Sequence, residues 1–251
     1  MQGQPGHVVD SRVSAAAPEL SVVMPVYREG EIIASVVEAW SGMLEAQGID
    51  YELLMYDDGS PDDTLGILRT RERVLPRLRV TSHSNRGHGP TILRGYGEAR
   101  GSWVFQVDSD DEIAADSFPT LWEQREQRDF LIGRREGCHQ PLPRRIVSGV
   151  SRFAVRRLFG VGVTDVNAPF RLMRRSWLGE ALARIPDDSF APNVILSGLA
   201  IRDGVRVFEH PVPRRARHTG RPSLGSFTLW RRALQSFGQT LRVAWSIRSR
   251  R

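Results

Sequence analysis

The chain has 251 residues, 40% of them apolar and 25% charged, and this ordinary globular composition excludes collagen-like, disordered and coiled-coil proteins. Its single cysteine, Cys138, excludes an internal disulfide. No apolar run is long enough to predict a membrane-spanning helix, and the first residues lack the basic start and apolar centre of a secretory signal. We therefore expect a cytosolic protein.

The net charge of +6 is distributed unevenly along the chain. All 35 basic residues are arginine, and the last acidic residue is Glu209. Ten arginines follow Glu209, which leaves 25 arginines against 29 acidic residues up to that position. The basic character therefore belongs to the C-terminal segment. Nucleic acid, anionic lipid and a phosphate-bearing ligand all fit such a segment as partners.

The predicted elements begin after a non-periodic leader over residues 1–19. Short apolar runs rich in β-formers predict five strands, over residues 20–27, 51–56, 78–82, 102–107 and 129–133. Helical patterns lie between the strands, one over 32–44, one starting with Ser60 as N-cap and Pro61 at its first position, and one over 89–100. Beyond residue 140 we expect a basic helix over 144–160, a strand over 205–212 and a final helix over 223–248.

Apolar strands that alternate with helices are typical of a parallel sheet covered by helices on both faces. The predicted fold class is therefore α/β, with a mostly parallel, Rossmann-like sheet. If the crossovers are right-handed and the strand order is 3-2-1-4, the loops after strands one, two and four meet at the carboxyl ends of the strands. We expect the ligand to bind in that crevice.

Two acidic clusters lie at the expected ends of these strands. They are Asp57 and Asp58 after the second strand, and Asp108, Asp110, Asp111 and Glu112 after the fourth. Carboxylates brought together in one cleft repel one another unless they bind a cation, and oxygen ligands favour Mg²⁺ or Mn²⁺. Such an ion bridges substrate phosphates, which indicates a nucleotide ligand. The alternative is that each cluster only caps a helix and that its acids are solvated.

Five segments of the chain occur in the order found in family 2 glycosyltransferases of GT-A fold: VVMPVYREGE, DDGSPDDT, Asn85-x-Gly-x-Gly, VDSDDE and DVNAPFRLMRR. The likeness covers residues 20–225, and the chain most resembles polyprenyl-phosphate sugar synthases such as dolichyl-phosphate mannose synthase. The predicted organisation is a leader over 1–19, a glycosyltransferase domain over 20–225 and a basic amphipathic helix within 226–251.

The resemblance implies a donor site for a nucleotide sugar of the GDP-mannose or UDP-hexose type. It assigns the donor to Pro25, Tyr27, Glu29, Asp57, Asp58, Asp108, Ser109, Asp110 and Arg217. Asp108 and Asp110 form the Asp-x-Asp element on the metal, Mg²⁺ or Mn²⁺, and on the diphosphate. Together with Arg217 they are the implied catalytic residues. Glu112, where the family usually has glutamine, is the third implied metal ligand.

The resemblance also implies an acceptor site. Arg134, Arg144 and Ser148 match the residues that receive the acceptor phosphate, and arginine suits this work because its planar fork pairs with two phosphate oxygens at once. A solvated basic helix face is the alternative. The segment that starts at Arg217 resembles a loop that closes over the donor diphosphate. It lacks the family's lysine, and Arg221 is the residue present to replace that charge.

The expected reaction follows from the acceptor. A lipid phosphate is already an anion, so it can attack the anomeric carbon without a strong base, and a single displacement inverts that centre. The protein then positions the reactants and stabilises the charge on the leaving diphosphate. A saccharide or other hydroxyl acceptor stays open as the alternative, because Asp188 in DDSFAPNVIL could act as its base.

The final predicted helix carries an apolar stripe with arginines beside it. The stripe consists of Phe227, Trp230, Leu234, Phe237, Leu241 and Trp245. A basic amphipathic helix that contains tryptophan is typical of one lying in the interface of an anionic membrane. The alternative is a helix that packs on the core or on a second copy.

Together, these patterns predict a peripheral enzyme at the cytoplasmic face of the membrane, with a separate membrane protein as a further partner. The competing hypothesis is a degenerate, non-catalytic glycosyltransferase whose basic tail binds membrane or nucleic acid. We do not expect nucleic acid, because the aromatic residues of the tail follow one helical stripe instead of interleaving with basic residues across an exposed face.

Overall fold

The computed structural model describes residues 17–136, 142–215, 235 and 237–245. Within the helix that starts at residue 142, the side chains are described from residue 149 onward. Most of the predicted leader, Arg217, Arg221 and residues 223–234 of the final predicted helix lie outside the described residues.

Within these residues, seven strands form one sheet. They are β1 Leu20–Val26, β2 Tyr51–Asp57, β3 Leu78–Ser82, β4 Trp103–Gln106, β5 Phe130–Glu136, β6 Arg171–Arg174 and β7 Val207–Pro213. Their order is β3-β2-β1-β4-β6-β5-β7. The pairs of β1 with β2 and β4, of β2 with β3 and of β5 with β7 are parallel. The α/β class and the order 3-2-1-4 are confirmed.

The helices of the described residues lie between and after the strands. They are α1 Ile33–Ala46, α2 Thr64–Glu72, α3 His88–Glu98, α4 Phe118–Glu123, α5 Leu142–Phe159, α6 Arg175–Leu182 and α7 Pro192–Arg202. Short 3-10 turns cover Ala115–Ser117 and Arg125–Gln127, and residues 237–245 are helical.

The strand β6 was not predicted from the sequence. It pairs antiparallel with both β4 and β5 and thereby separates them. Its four residues, Arg171–Arg174, include an arginine at each end, so no apolar run marks them. The side chain of Arg171 is nevertheless fully buried, because the carbonyl oxygens of Ala168 and Asn193 accept its hydrogen bonds at 2.7–3.0 Å. Burial lowers the pKa of Arg171 to about 10.

The predicted start of α2 was wrong. Ser60 does not cap this helix, which begins at Thr64, three residues beyond Pro61. The Ser60 hydroxyl instead accepts a hydrogen bond from the amide of Arg28, at 3.0 Å. Because the side chain of Ser60 is bonded to the loop after β1, it does not cap α2, and the segment between β2 and α2 is an irregular turn. That turn ties the first two loops of the crevice together.

The sheet is covered on both faces. Val22 and Met24 of β1 belong to a core formed with α1, α2 and α4. Val23, between them, belongs to a second core formed with α3, α5, α6 and α7. The alternation follows from the two-residue repeat of a strand, and it explains why the parallel strands are apolar throughout.

The helix over residues 237–245 packs on the second core through Val243 and Ala244. Two members of its predicted apolar stripe are turned away from that core: Phe237 is 39% exposed and Trp245 is 72% exposed. Among the helices that the structure describes, none combines the length and the apolar character needed to cross a bilayer.

Candidate active site

The two acids at the end of β2 are buried, and each one fixes a neighbouring loop. The carboxylate of Asp57 accepts a hydrogen bond from the hydroxyl of Ser82, at 2.8 Å, which ties β2 to the end of β3. The carboxylate of Asp58 accepts hydrogen bonds from the amides of Arg86 and Gly87, at 2.7 and 2.9 Å. Asp58 therefore holds the loop that leads from β3 into α3.

Two glycines allow backbones to meet around this loop. Gly59 has a φ of 69°, and a Cβ there would lie 2.8 Å from the amide nitrogen of Asn85. Gly89, in the first turn of α3, faces the segment that precedes α7: a Cβ would overlap the carbonyl oxygen of Ser189 and lie 2.6 Å from that of Phe190. Both contacts require glycine, and the second brings the start of α7 to the mouth of the crevice.

The Asp-x-Asp pair follows β4 in a fixed arrangement. Oδ1 of Asp108 accepts a hydrogen bond from Nε2 of Gln106, at 3.0 Å, and it lies 3.0 Å from Nε2 of His88. Asp110 is buried and accepts a hydrogen bond from the amide of Glu112, at 3.2 Å. The pair is therefore anchored on one side to the sheet and on the other side to its own loop.

His88 lies where the two acidic clusters meet. Desolvation by the surrounding protein opposes protonation of the imidazole. The charges of Asp108, Asp110 and Asp58 outweigh that effect and raise the pKa of His88 above its ordinary value. The structure therefore brings acids from the ends of β2 and β4 within electrostatic range of one side chain. His88 was not among the predicted site residues; it occupies a variable position of the Asn85-x-Gly-x-Gly segment.

Gln106 belongs to a buried polar network that reaches α7. Its Oε1 accepts a hydrogen bond from Nδ2 of Asn193, at 2.9 Å, while the hydroxyl of Tyr96 donates to Oδ1 of Asn193, at 3.0 Å. Arg171 donates to the carbonyl oxygen of Asn193, at 3.0 Å. This network sets the position of Asp108 from behind. Sequence reasoning missed it because its contacts join residues that are far apart in the chain.

The loop after β1 contributes the residues that were assigned to the donor. Pro25 is buried in β1, whereas the ring of Tyr27 is 40% exposed. The amide of Glu29 donates a hydrogen bond to the hydroxyl of Thr64, the first residue of α2, at 3.0 Å. This loop is thus fixed in the crevice beside Asp57 and Asp58, and the exposed aromatic ring of Tyr27 is accessible to a planar ligand.

Glu112 forms a forked ion pair with Arg214, which follows the end of β7. Nε of Arg214 donates to one carboxylate oxygen, at 2.9 Å, and an NH2 group donates to the other. Both side chains are only 12% exposed. The amide of Arg215 also donates to the carbonyl oxygen of Glu112, at 2.8 Å. The loop after β4 therefore holds the chain that leads on toward Arg217.

The two arginines at the end of β5 lie in different surroundings. Arg134 pairs with Glu136 at 3.1 Å, and both side chains are exposed. Arg135 donates two hydrogen bonds to Asp165, at 2.8 and 2.9 Å. Burial tends to lower the pKa of Arg135, but Asp165, with smaller contributions from the site carboxylates, raises it above its ordinary value. Of these two arginines, only Arg134 was among the predicted site residues.

The remaining predicted site residues have the following positions. Ser109 is buried between the two aspartates. Arg144 and Ser148 lie in α5, where only their backbone is described. Arg217 lies outside the described residues. Asp188 accepts a hydrogen bond at its carbonyl oxygen from Gln239 of the last helix, at 3.2 Å.

A divalent cation is compatible with the donor atoms at the end of β4. Carboxylate oxygens are the ligands that Mg²⁺ and Mn²⁺ prefer, and the charges of Asp108, Asp110 and Asp58 make the space between the two clusters electronegative. Among the described residues, no three His, Cys, Asp or Glu side chains converge closely enough to form a cation site by themselves. These donor atoms therefore suit an ion that takes the rest of its coordination shell from a ligand and from water.

The structure defines an α/β protein with two acidic clusters at the carboxyl ends of its strands, and comparison with known families identifies the class. The family model described as "Glycosyl transferase family 2" matches residues 21–182, which is more than half of the chain. The chain therefore belongs to this family. The resemblance inferred from the sequence is confirmed, and the family is one of glycosyltransferases.

Curated relatives are more distant. The chain is 27% identical over 176 residues to an undecaprenyl-phosphate 4-deoxy-4-formamido-L-arabinose transferase from Pseudomonas fluorescens, covering 69% of this chain and 52% of that protein. A protein of the same name from Edwardsiella ictaluri is 26% identical over 218 residues, covering 84% of this chain and 64% of the relative. The chain thus spans about half to two thirds of the length of these relatives.

Solved structures share the fold. Glucosyl-3-phosphoglycerate synthase from Mycobacterium tuberculosis, in complex with Mn²⁺, UDP-glucose and phosphoglyceric acid, has a TM-score of 0.67 at 20% identity, over 90% of this chain and 80% of that one. A mannosyltransferase from Pyrobaculum calidifontis, in complex with GDP-mannose and Mn²⁺, has a TM-score of 0.59 at 20% identity, over 93% and 65% of the two chains. These likenesses confirm the GT-A fold.

Proposed function

We propose that this protein is a metal-dependent, inverting glycosyltransferase that moves a sugar from a nucleotide sugar to a polyprenyl phosphate at the cytoplasmic face of the membrane. The observation that carries the proposal is the meeting of Asp58, Asp108 and Asp110 around His88 at the carboxyl ends of the strands. This is the crevice in which α/β sheets bind nucleotides. The names of the curated relatives support the lipid acceptor.

In this proposal, the nucleotide lies along the loops after β1 and β2. The exposed ring of Tyr27 stacks on the base, with Pro25 and Glu29 beside it, and Asp57 and Asp58 hold the base and the ribose. The carboxylate of Asp58 already accepts hydrogen bonds from the amides of Arg86 and Gly87, so this part of the site is formed before the donor binds.

The diphosphate lies at the end of β4. Asp108 and Asp110, with Ser109 between them, hold a Mg²⁺ or Mn²⁺ ion that stabilises the leaving diphosphate when it is bound. Both oxygens of Glu112, the third predicted ligand, accept hydrogen bonds from Arg214. We therefore assign Glu112 the task of holding the segment that carries Arg217, and Arg217 the task of pairing with the diphosphate.

The acceptor phosphate approaches from the side of β5 and α5. Arg134, Arg144 and Ser148 are its proposed ligands, and Arg135 is added because it lies close enough to the site for the charge of Asp108 to raise its pKa. A phosphate monoester is anionic at neutral pH, so its oxygen attacks the anomeric carbon as the bond to the nucleoside diphosphate breaks. The chain then needs only to position the reactants and to stabilise the departing charge.

The last helix supports a lipid acceptor. Its Gln239 donates a hydrogen bond to the carbonyl oxygen of Asp188 and accepts one from the amide of Phe190, at 3.2 and 3.0 Å. The helix with the exposed rings of Phe237 and Trp245 is therefore joined directly to the segment at the mouth of the crevice. A helix of this kind at a membrane surface brings the site to the lipid headgroups.

A hydroxyl acceptor is the second candidate. It is favoured by the contact of Gly89 with Ser189 and Phe190, which holds Asp188 in the segment beside His88. In this case Asp188 is the general base that takes the proton of the attacking hydroxyl.

Transfer of a labelled sugar tests both candidates. Purified protein with Mg²⁺ or Mn²⁺ is incubated with a panel of UDP- and GDP-sugars and with undecaprenyl or dolichyl phosphate, and label is measured in the butanol phase. We expect a labelled lipid that EDTA abolishes. If nucleotide sugars bind but no lipid is labelled, the result favours a hydroxyl acceptor. If no nucleotide sugar binds, the proposal is refuted.

A further inference from the structure

His88 is set against the Asp-x-Asp pair by the fold. It is the first residue of α3, directly after Gly87, whose amide donates to the carboxylate of Asp58. Its Nε2 lies 3.0 Å from Oδ1 of Asp108, and its side chain is half exposed. The imidazole is therefore held at Asp108 and is still open to the crevice.

The 3.0 Å separation suits two kinds of contact. It is the length of a hydrogen bond between imidazole and carboxylate. It is also the distance between two neighbouring corners of an octahedron whose metal–ligand bonds are about 2.1 Å long, since adjacent corners are then about 3.0 Å apart. One ion can therefore contact both atoms with little movement of either side chain.

The side chain of Asp108 is supported from behind, as metal ligands usually are, and the backbone that leads to His88 is fixed as well. Gln106 donates to Oδ1 of Asp108 at 3.0 Å and is itself held by Asn193. On the other side, Asp58 fixes the backbone that precedes His88.

We infer that Nε2 of His88 is a ligand of the divalent cation, next to Asp108. This inference rests on the proposed function, because it assigns one more residue to the cation of the nucleotide-sugar site. A nitrogen ligand favours Mn²⁺ over Mg²⁺, since Mg²⁺ prefers oxygen donors. His88 therefore makes this site selective for Mn²⁺.

Pulsed electron paramagnetic resonance of bound Mn²⁺ tests the inference directly. The full chain is loaded with Mn²⁺ and UDP or GDP, and the spectrum is examined for the ¹⁴N modulation of a coordinated imidazole. We expect this modulation in the wild-type protein, its replacement by a ¹⁵N pattern in ¹⁵N-labelled protein, and its loss in His88→Gln. We also expect His88→Gln to weaken Mn²⁺ binding at least about tenfold and Mg²⁺ binding less.

His83→Gln is the matched control. The ring of His83 lies 3.5 Å from Oδ1 of Asp58, so it is a second histidine beside the same cluster. The inference requires that His83→Gln keeps the ¹⁴N modulation. If Mn²⁺ binds to the wild-type protein without nitrogen modulation, or if the modulation survives in His88→Gln, the inference is wrong while the proposed function stands. If Mn²⁺ with nucleotide does not bind at all, the inference and the metal of the proposed function both fail, and the transfer assay decides the remainder independently.

Discussion

The carboxylate of Glu112 and the guanidinium of Arg214 are joined by two hydrogen bonds across 102 positions of the chain. The pair connects the loop after β4 with the chain leaving β7, and both side chains are largely shielded from water. Shielded ion pairs of this kind are costly to break from one side, since the remaining charge loses its partner. The pair therefore holds the proposed diphosphate site and the start of the C-terminal segment together.

Arg214→Met should destabilise the protein by about 3 kcal/mol, because it leaves the carboxylate of Glu112 shielded from water and without its forked partner. The double variant Glu112→Gln with Arg214→Met should recover a large part of that loss. Chemical denaturation of the wild-type protein, the two single variants and the double variant measures the coupling. Additive losses would show that the two side chains do not stabilise one another.

Gly89→Ala should destabilise the protein by about 3 kcal/mol, since the new methyl group overlaps the carbonyl oxygens of Ser189 and Phe190. The same substitution at Gly97, two turns along α3, meets no atom within 4 Å. Gly97→Ala should stabilise the helix by about 0.5–1 kcal/mol, as alanine usually does in an exposed helical position. Thermal denaturation of the two variants is the measurement, and equal effects would contradict the packing of the α7 segment on α3.

Local patterns in the sequence predicted most strands and the acidic clusters, but they did not predict the contacts between distant polar residues. Apolar runs located the strands well, and residues 78–82 were predicted with the bounds that β3 has in the structure, Leu78–Ser82. The acids were found because they follow such runs. The strand β6 has no apolar run, and the contact of His88 with Asp108 joins two loops, so neither leaves a local pattern. Long-range contacts of polar residues depend on the folded backbone and are not encoded in spacing.

Glu52 should make the stability of the protein depend on pH in the acid range. Its buried carboxylate would have a raised pKa from desolvation alone, but Ser21 and the amide and guanidinium of Arg100 outweigh that effect and lower the pKa below 4.5. A lowered pKa means that the ionised form stabilises the fold above the unfolded-state value and that this contribution is lost as the pH falls through the folded-state value.

Glu52→Gln should therefore cost about 2 kcal/mol at pH 7, where the wild-type carboxylate is ionised and hydrogen-bonded. The difference between the two proteins should shrink as the pH is lowered through the range below 4.5, because the wild-type protein then loses the same interaction. Melting temperatures between pH 3 and pH 7 measure this. A difference that does not change with pH would contradict the role of the charge.

Asp110→Asn should abolish sugar transfer, with a loss of at least about 100-fold, because the amide cannot replace the carboxylate at the cation. The shape of the buried side chain is retained, so the melting temperature should change little. Asp111→Asn is the control: Asp111 has a φ of 52°, a conformation that asparagine also tolerates, and its carboxylate faces Arg215 at 3.6 Å. Full activity of Asp110→Asn would refute the proposed metal site.

Trp245→Ser should weaken binding to vesicles that contain anionic lipid by about tenfold, and Phe237→Ser by less. Trp245 is the more exposed of the two, at 72% against 39%, and burying a large aromatic side chain contributes about 1.5–3 kcal/mol. Both substitutions leave the contacts of Val243 and Ala244 with the core, so the fold and nucleotide binding should persist.

Val74→Ser provides the comparison, because Val74 is also an exposed apolar side chain, at 66%, but follows α2 on the opposite face of the sheet. It should bind the vesicles like the wild-type protein. Sedimentation with vesicles of phosphatidylglycerol and phosphatidylcholine measures all three variants. Equal binding by Trp245→Ser and Val74→Ser would contradict the proposed contact of the last helix with the membrane surface. Gln239 joins that helix to Asp188 and Phe190 at the mouth of the crevice. If the helix does not contact a membrane, the acceptor has to reach the crevice from solution, and this favours a hydroxyl acceptor.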